Sequence, residues 1–131
     1  MPVADRLNVL IVDDLPESLY LLKIVLNRNF SCAVTQAENG AVAVSYAEML
    51  DFDLIITDIN MPVMDGVTAI REIRHIERNR STPIIALTAD TTNSNRTKSL
   101  EAGASEYMQK PVETKKLIET INRHLEGADK I

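Results

Sequence analysis

The chain has 131 residues, a net charge of −5 and 45% hydrophobic residues, so it is long enough to form one domain with its own core. Because the chain is acidic, it has no basic stripe that could neutralise the phosphates of a nucleic acid. No apolar run approaches the roughly 20 residues that span a bilayer. We therefore expect neither direct nucleic-acid binding nor membrane insertion. The first seven residues lack the pattern of a secretory signal, and the single cysteine cannot form an internal disulfide, so we expect a cytoplasmic protein.

Short apolar runs alternate with longer segments of helical period along the whole chain. The predicted strands are Asn8–Val12, Ala33–Ala37, Leu54–Thr57, Pro83–Thr88 and Glu106–Gln109. The predicted helices are Leu15–Asn29, Asn39–Leu50, Val67–Glu77, Thr92–Ala102 and Val112–Leu125. This alternation predicts one α/β domain over 1–131, with a core at about 8–125, a frayed tail at 127–131, and a doubly wound parallel sheet with helices on both faces.

Polar residues stand where the predicted strands end. Asp13 and Asp14 follow the first strand, Asp58 follows the third, Thr88 ends the fourth, and Lys110 follows the fifth. In a sheet of order 2-1-3-4-5 these strand ends are neighbours, and the first and third strands flank the switch point where ligands bind. We therefore expect these side chains to share one site.

Three carboxylates in one site need a counter-charge. Two like charges about 5 Å apart repel by roughly 3 kcal/mol at an effective dielectric of about 20, and Lys110 supplies only one positive charge. Oxygen ligands suit Mg²⁺ or Mn²⁺, and a carboxylate beside such an ion is a nucleophile toward phosphorus. With Thr88 and Lys110 placed to take the other phosphoryl oxygens, these residues predict an aspartyl phosphate on Asp58.

Taken together, the motifs resemble the receiver domain of two-component response regulators over about Asn8 to Leu125. The motifs are Asp13-Asp14, Asp58 with Asn60-Met61-Pro62 and Met64-Asp65-Gly66, Thr88-Ala89, and Lys110-Pro111. Phrases such as Ile85-Ala86-Leu87-Thr88-Ala89 look like receivers attached to hybrid sensor kinases. The resemblance implies a flavodoxin-like (βα)5 fold and a signalling domain, not an enzyme beyond its own phosphorylation and dephosphorylation.

The resemblance also assigns roles to single positions. Asp58 would be the phosphoacceptor, Asp14 a direct metal ligand, Asp13 a ligand acting partly through water, and Asn60 a ligand through its backbone carbonyl. Thr88, Ala89 and Lys110 would bind the phosphoryl group, and Lys110-Pro111 would be a cis peptide. Tyr107 would be the aromatic that switches together with Thr88, changing the surface formed by the fourth helix, fifth strand and fifth helix.

The implied partners are a histidine kinase or histidine phosphotransfer domain as phosphodonor, and a downstream protein target. The first helix is apolar nearly all round, more than one buried stripe requires, which predicts a docking face for the donor beside the site. We assign Leu19, Leu21, Pro111 and Val112 to that face. The polar segment Thr92–Ser99 has little to bury, and we expect it to be mobile and to move on phosphorylation.

Two other functions remain open from the sequence. A receiver that takes no phosphoryl group would be a phosphorylation-independent protein-binding module, although the intact acidic set argues against it. A metal-dependent phosphatase of the haloacid-dehalogenase type would carry a second acid two residues after its nucleophile, where this chain has Asn60. A nucleotide-binding module is disfavoured because no G-x-G-x-x-G or P-loop motif follows any predicted strand.

Overall fold

The computed structural model describes residues 6–89 and 93–129. Five parallel strands form one sheet: β1 Leu7–Val12, β2 Cys32–Ala37, β3 Leu54–Asp58, β4 Ile84–Thr88 and β5 Glu106–Gln109. Their order is β2-β1-β3-β4-β5, which is the flavodoxin-like doubly wound order. The predicted fold class is therefore confirmed.

Five helices connect and follow the strands. They are α1 Pro16–Asn29, α2 Gly40–Met49, α3 Gly66–Ile73, α4 Asn93–Ala102 and α5 Thr114–Asp129. Side chains set two of the helix starts: Asn39 accepts a hydrogen bond from the Val42 amide at 2.9 Å, and Asp65 accepts one from the Thr68 amide at 2.8 Å. Pro16 lies in the first turn of α1, where its missing N–H costs nothing.

The alternation of side chains along each strand divides the core into two halves. On one face of the sheet Val9 and Ile11 of β1 pack with α1 and α5, where Leu26 and Ile121 are fully buried. On the other face Leu10 and Val12 belong to a cluster with α2 and α3. Every residue of β3 is buried, as expected for the central strand of a sheet covered on both faces.

The helix after β3 is shorter than predicted. It ends at Ile73 rather than Glu77, and a 3₁₀ turn follows at Glu77–Asn79. The reason is tertiary: the buried Asn79 side chain donates to the carbonyls of Ala47 and Leu50 at 2.7 Å each. These bonds require the chain to turn toward α2 at this point, which a continuing helix would prevent.

α5 also differs from its prediction, since it continues past Leu125 to Asp129. Residues 130 and 131 lie outside the described range, and the fraying expected of 127–131 stays a prediction. The predicted start of α4 at Thr92 also lies outside the described residues. Gly103 follows α4 with φ of +124°, the left-handed conformation expected of a glycine that ends a helix.

In the described ranges, no helix combines the length and apolar character that crossing a membrane requires.

Candidate functional site

The polar residues predicted at the strand ends do meet at one edge of the sheet. Asp13 follows β1, Asp58 ends β3, Thr88 ends β4, and Lys110 follows β5. Backbone bonds fix these ends to their neighbours: the Lys110 amide donates to the Thr88 carbonyl at 2.7 Å, and the Ile59 amide donates to the Leu87 carbonyl at 3.0 Å. The sheet order therefore brings together residues as far as 97 positions apart in sequence.

Three carboxylates form an acidic cluster, comprising Asp13, Asp14 and Asp58. Each contributes an oxygen that lies within 4.8 Å of the other two. Asp13 is 1% exposed and Asp58 is 7% exposed, while Asp14 is the most accessible of the three. A set of oxygen donors open on one side is the kind of site that holds Mg²⁺ together with waters.

Lys110 bridges two members of the acidic cluster. Its ammonium nitrogen donates to Asp13 Oδ2 at 2.9 Å and lies 3.3 Å from Asp58 Oδ2. The peptide bond between Lys110 and Pro111 is cis, as the resemblance implied. The remaining oxygens are also engaged, since Asp13 Oδ1 accepts from the Leu15 amide at 3.0 Å and Asp58 Oδ1 accepts from the Ile59 amide at 2.7 Å.

The electrostatics of the site disfavour a second full negative charge. Burial raises the pKa of Asp58, Lys110 opposes that rise, and the neighbouring Asp13 carboxylate adds to it. Burial alone would lower the pKa of Lys110, but its bonds to Asp13 and Asp58 outweigh burial and raise it. Lys110 therefore stays protonated. Its single positive charge does not offset both the burial of Asp58 and the negative charge of the Asp13 carboxylate.

Thr88 and Asn60 are joined by their side chains at this edge of the sheet. Thr88 is fully buried, and its Oγ1 accepts a hydrogen bond from Asn60 Nδ2 at 3.4 Å. Ala89 is exposed directly after β4, and Tyr107 is a partly buried residue of β5. The structure thus places Asn60, Thr88 and Ala89 at or just after the ends of β3 and β4, and Tyr107 in the adjoining strand β5.

The loop from β3 to α3 carries features that the sequence did not reveal. The Gly66 amide donates to the Ile59 carbonyl at 2.8 Å, and a Cβ on Gly66 would lie only 2.2 Å from the Asp58 carbonyl oxygen. Only glycine allows this close approach beneath Asp58. Val63 has φ of +70°, a left-handed conformation that a β-branched residue rarely adopts.

A mainly apolar groove of about 510 Å³ runs from the acidic cluster between α1 and α5. Leu21, Pro111 and Val112, which the sequence assigned to a docking face, line this groove, and Leu21 is 62% exposed. The prediction was wrong for Leu19, which is 8% exposed and packs in the core. Because α1 is apolar on several sides, its sequence could not distinguish the buried leucine from the exposed one.

Comparisons with known proteins agree with this geometry. The family model of the response regulator receiver domain matches residues 9–122. The histidine-protein kinase BarA of Shigella flexneri is 36% identical over 132 residues, covering 98% of this chain and 14% of the kinase. Chemotaxis protein CheY of Bacillus subtilis is 37% identical over 118 residues, covering 90% of this chain and 97% of CheY.

A solved structure is similar over nearly the whole chain. It is the receiver domain of sensor histidine kinase PA1611 from Pseudomonas aeruginosa, which has a magnesium ion coordinated in its active-site cleft. It is 35% identical, with a TM-score of 0.85, and the match covers 92% of this chain and 98% of that one. With a family model that matches most of its length, this chain belongs to the response regulator receiver domain family.

Proposed function

We propose that this chain is the phosphoacceptor of a two-component phosphorelay and takes a phosphoryl group on Asp58. The acidic cluster carries the proposal. Each of its three carboxylates has an oxygen within 4.8 Å of the other two, and the Lys110 ammonium nitrogen lies 3.3 Å from Asp58 Oδ2. A buried carboxylate beside a fixed cation can attack phosphorus if the charge that develops on the phosphoryl oxygens is neutralised. Membership of the receiver family supports the same assignment.

The cofactor in this proposal is Mg²⁺, with Mn²⁺ as a substitute. Its ligands would be Asp13, Asp14, Asp58 and the backbone carbonyl of Asn60. The donor set fits, because all of these donors are oxygens and Asp14 leaves one side of the cluster open for waters. When bound, the ion would neutralise negative charge on the carboxylates and on the phosphoryl oxygens.

In the transfer step, a carboxylate oxygen of Asp58 forms a bond to phosphorus while the bond from phosphorus to the donor's histidine nitrogen breaks. The imidazole leaves with the electron pair of that bond. Lys110 and the Thr88 hydroxyl stabilise the equatorial oxygens, and the Ala89 amide can donate to one of them. Later attack by water on the phosphorus would break its bond to Asp58, release inorganic phosphate and restore the free carboxylate. The domain would therefore catalyse only its own phosphorylation and dephosphorylation.

The output of the reaction would be a population shift between two conformations. Thr88 would move toward the phosphoryl group, and Tyr107 would follow, changing the surface formed by α4, β5 and α5. A downstream protein target would bind this surface in one state more tightly than in the other. This arrangement requires neither contact with nucleic acid nor insertion in a membrane, and we place the reaction in the cytoplasm.

The phosphodonor would be a histidine kinase or a histidine phosphotransfer domain. Relatives such as BarA are histidine kinases, and the chain spans 14% of that protein's length. The groove beside the acidic cluster supports a docking site for the donor's helices, because it is mostly apolar and opens at Lys110. Leu21, Pro111 and Val112 would make that contact.

Intact mass spectrometry after incubation with Mg²⁺ and acetyl phosphate tests this function. We expect a gain of one phosphoryl group, which is absent in Asp58→Asn and in a sample with EDTA. If no gain occurs but beryllofluoride shifts NMR signals near Asp58, the site accepts phosphoryl groups only from its protein donor. If neither response is seen, the phosphoacceptor function is wrong and the binding-module alternative replaces it.

A further inference from the structure

The loop from β3 to α3, residues 59–66, is closed at its base. The hydrogen bond from the Gly66 amide to the Ile59 carbonyl, 2.8 Å long, joins the two ends of the loop. Asp65 then caps α3 by accepting from the Thr68 amide at 2.8 Å. These bonds fix Ile59 and Gly66 at the two ends of the loop, and residues 60–64, which include Asn60, lie between them.

The far part of the loop is a tight turn around Val63, closed by a hydrogen bond from the Met64 amide to the Pro62 carbonyl at 2.8 Å. Val63 is left-handed with φ of +70° and is 83% exposed, so neither its backbone preference nor burial of its side chain stabilises this conformation. A residue held in a disfavoured backbone conformation persists only when surrounding contacts impose it. The next residue, Met64, makes such a contact: its carbonyl accepts a hydrogen bond from the Gly40 amide at 3.1 Å.

Gly40 belongs to α2 and is buried against this loop. A Cβ at this position would lie 2.5 Å from the Met64 carbonyl oxygen and 3.1 Å from the Ala69 Cβ. The first turn of α2 cannot easily move away from the loop, because the Asn39 side chain caps it by accepting a hydrogen bond from the Val42 amide. Any side chain at position 40 would therefore displace the loop.

We propose that Gly40 is a positioning residue for the metal site, acting through the loop that carries Asn60. By holding the Met64 carbonyl, α2 would fix the loop so that the Asn60 carbonyl stands where Mg²⁺ requires a ligand. Mg²⁺ demands near-ideal octahedral geometry, so even a small displacement of one ligand weakens binding. The inference rests on the proposed function, since it concerns the same metal site.

Mg²⁺ titration by calorimetry of the phosphoryl-free protein tests the proposal. We expect Gly40→Ala to bind Mg²⁺ about tenfold more weakly than the unchanged protein, comparable to the loss of an outer contact in other metal sites. Gly103→Ala is the matched control, because a Cβ there would lie 2.6 Å from Arg74 Cγ and φ is +124°. Both substitutions should lower stability, but only the first should change the affinity for Mg²⁺ by more than twofold.

Amide exchange in the unchanged protein gives a second readout that does not depend on how a variant folds. If the loop and the ion are coupled, Mg²⁺ must slow exchange of the Gly40 amide, by at least about threefold. The Leu50 amide, bonded to the Tyr46 carbonyl at the other end of α2, should be unaffected. Equal Mg²⁺ affinity of Gly40→Ala and the unchanged protein, or unchanged Gly40 exchange, would overturn the positioning role alone. Failure of the unchanged protein to bind Mg²⁺ would overturn the proposed metal site as well.

Discussion

In the metal-free protein, the burial of Asp58 lowers the free energy of unfolding at neutral pH. Its pKa is raised by burial and by the Asp13 carboxylate, against the opposing effect of Lys110. Between the ordinary and the raised pKa the folded state binds more protons than the unfolded state. The free energy of unfolding therefore falls as the pH rises through that window.

We expect Asp58→Asn to raise the free energy of unfolding by about 1 kcal/mol at neutral pH without divalent ions. The amide resembles the protonated carboxyl and brings no second negative charge next to Asp13. Urea denaturation of both proteins at pH 7 and at pH 3 measures the effect, and the difference should vanish at the lower pH. An Asn variant that is less stable than the parent at pH 7 would show that the ion pair with Lys110 outweighs burial.

At the scale of elements, α1 packs on the core with one side and lines the groove with the adjacent side. Leu26 is fully buried and Leu19 nearly so in the core beneath the helix, while Leu21 stands in the groove that opens at the acidic cluster. Val112, which precedes α5, and Thr114, the first residue of α5, line the groove on its other side. If a donor helix docks there as proposed, it would lie beside Asp13 and Lys110.

We expect Leu21→Ala to slow phosphoryl transfer from a phosphorylated histidine phosphotransfer domain by about fivefold, because it removes an exposed apolar contact of the interface. Phosphorylation by acetyl phosphate, which needs no docking, should stay unchanged. Met49→Ala is a suitable control, since Met49 is 64% exposed at the end of α2. Transfer reactions that are quenched at successive times measure both rates. Equal transfer rates for Leu21→Ala and the unchanged protein would show that α1 is not part of the docking face.

At the scale of the whole molecule, the proposed function requires a signal from Asp58 to reach the surface of α4, β5 and α5. Among the described residues of α4, Ser99 and Ala102 are buried and most others are exposed. An element with few buried contacts opens at a low free-energy cost, so α4 is the element that we expect a change at Thr88 to rearrange.

We expect amide exchange in residues 93–99 to be faster than in α5, and to change when beryllofluoride and Mg²⁺ are added. Hydrogen exchange followed by NMR measures this segment residue by residue. The Asp58→Asn variant supplies the control, because the analogue should leave its exchange unaltered. Flat exchange across 93–99 with and without the analogue would mean that α4 takes no part in the switch. Thr92, which the sequence included in this segment, lies outside the described residues.

Local sequence patterns determined the strands, the fold class and which polar residues meet at one edge of the sheet. Five apolar runs with helical segments between them can bury their surface only as a parallel sheet with helices on both faces. The polar residues that end these runs then meet at one edge for topological reasons. Asp13, Asp58 and Lys110 could therefore be assigned to one site before any distance was known.

Other features depended on contacts between residues far apart in sequence. α3 ends early because Asn79 bonds to carbonyls at the end of α2, and Leu19 turns inward because of how α1 packs on the sheet. The left-handed Val63 and the close approach of Gly40 to the Met64 carbonyl arise where two elements meet. Residue type and periodicity describe what a segment can bury, but only the packed structure decides which backbone groups and side chains become partners.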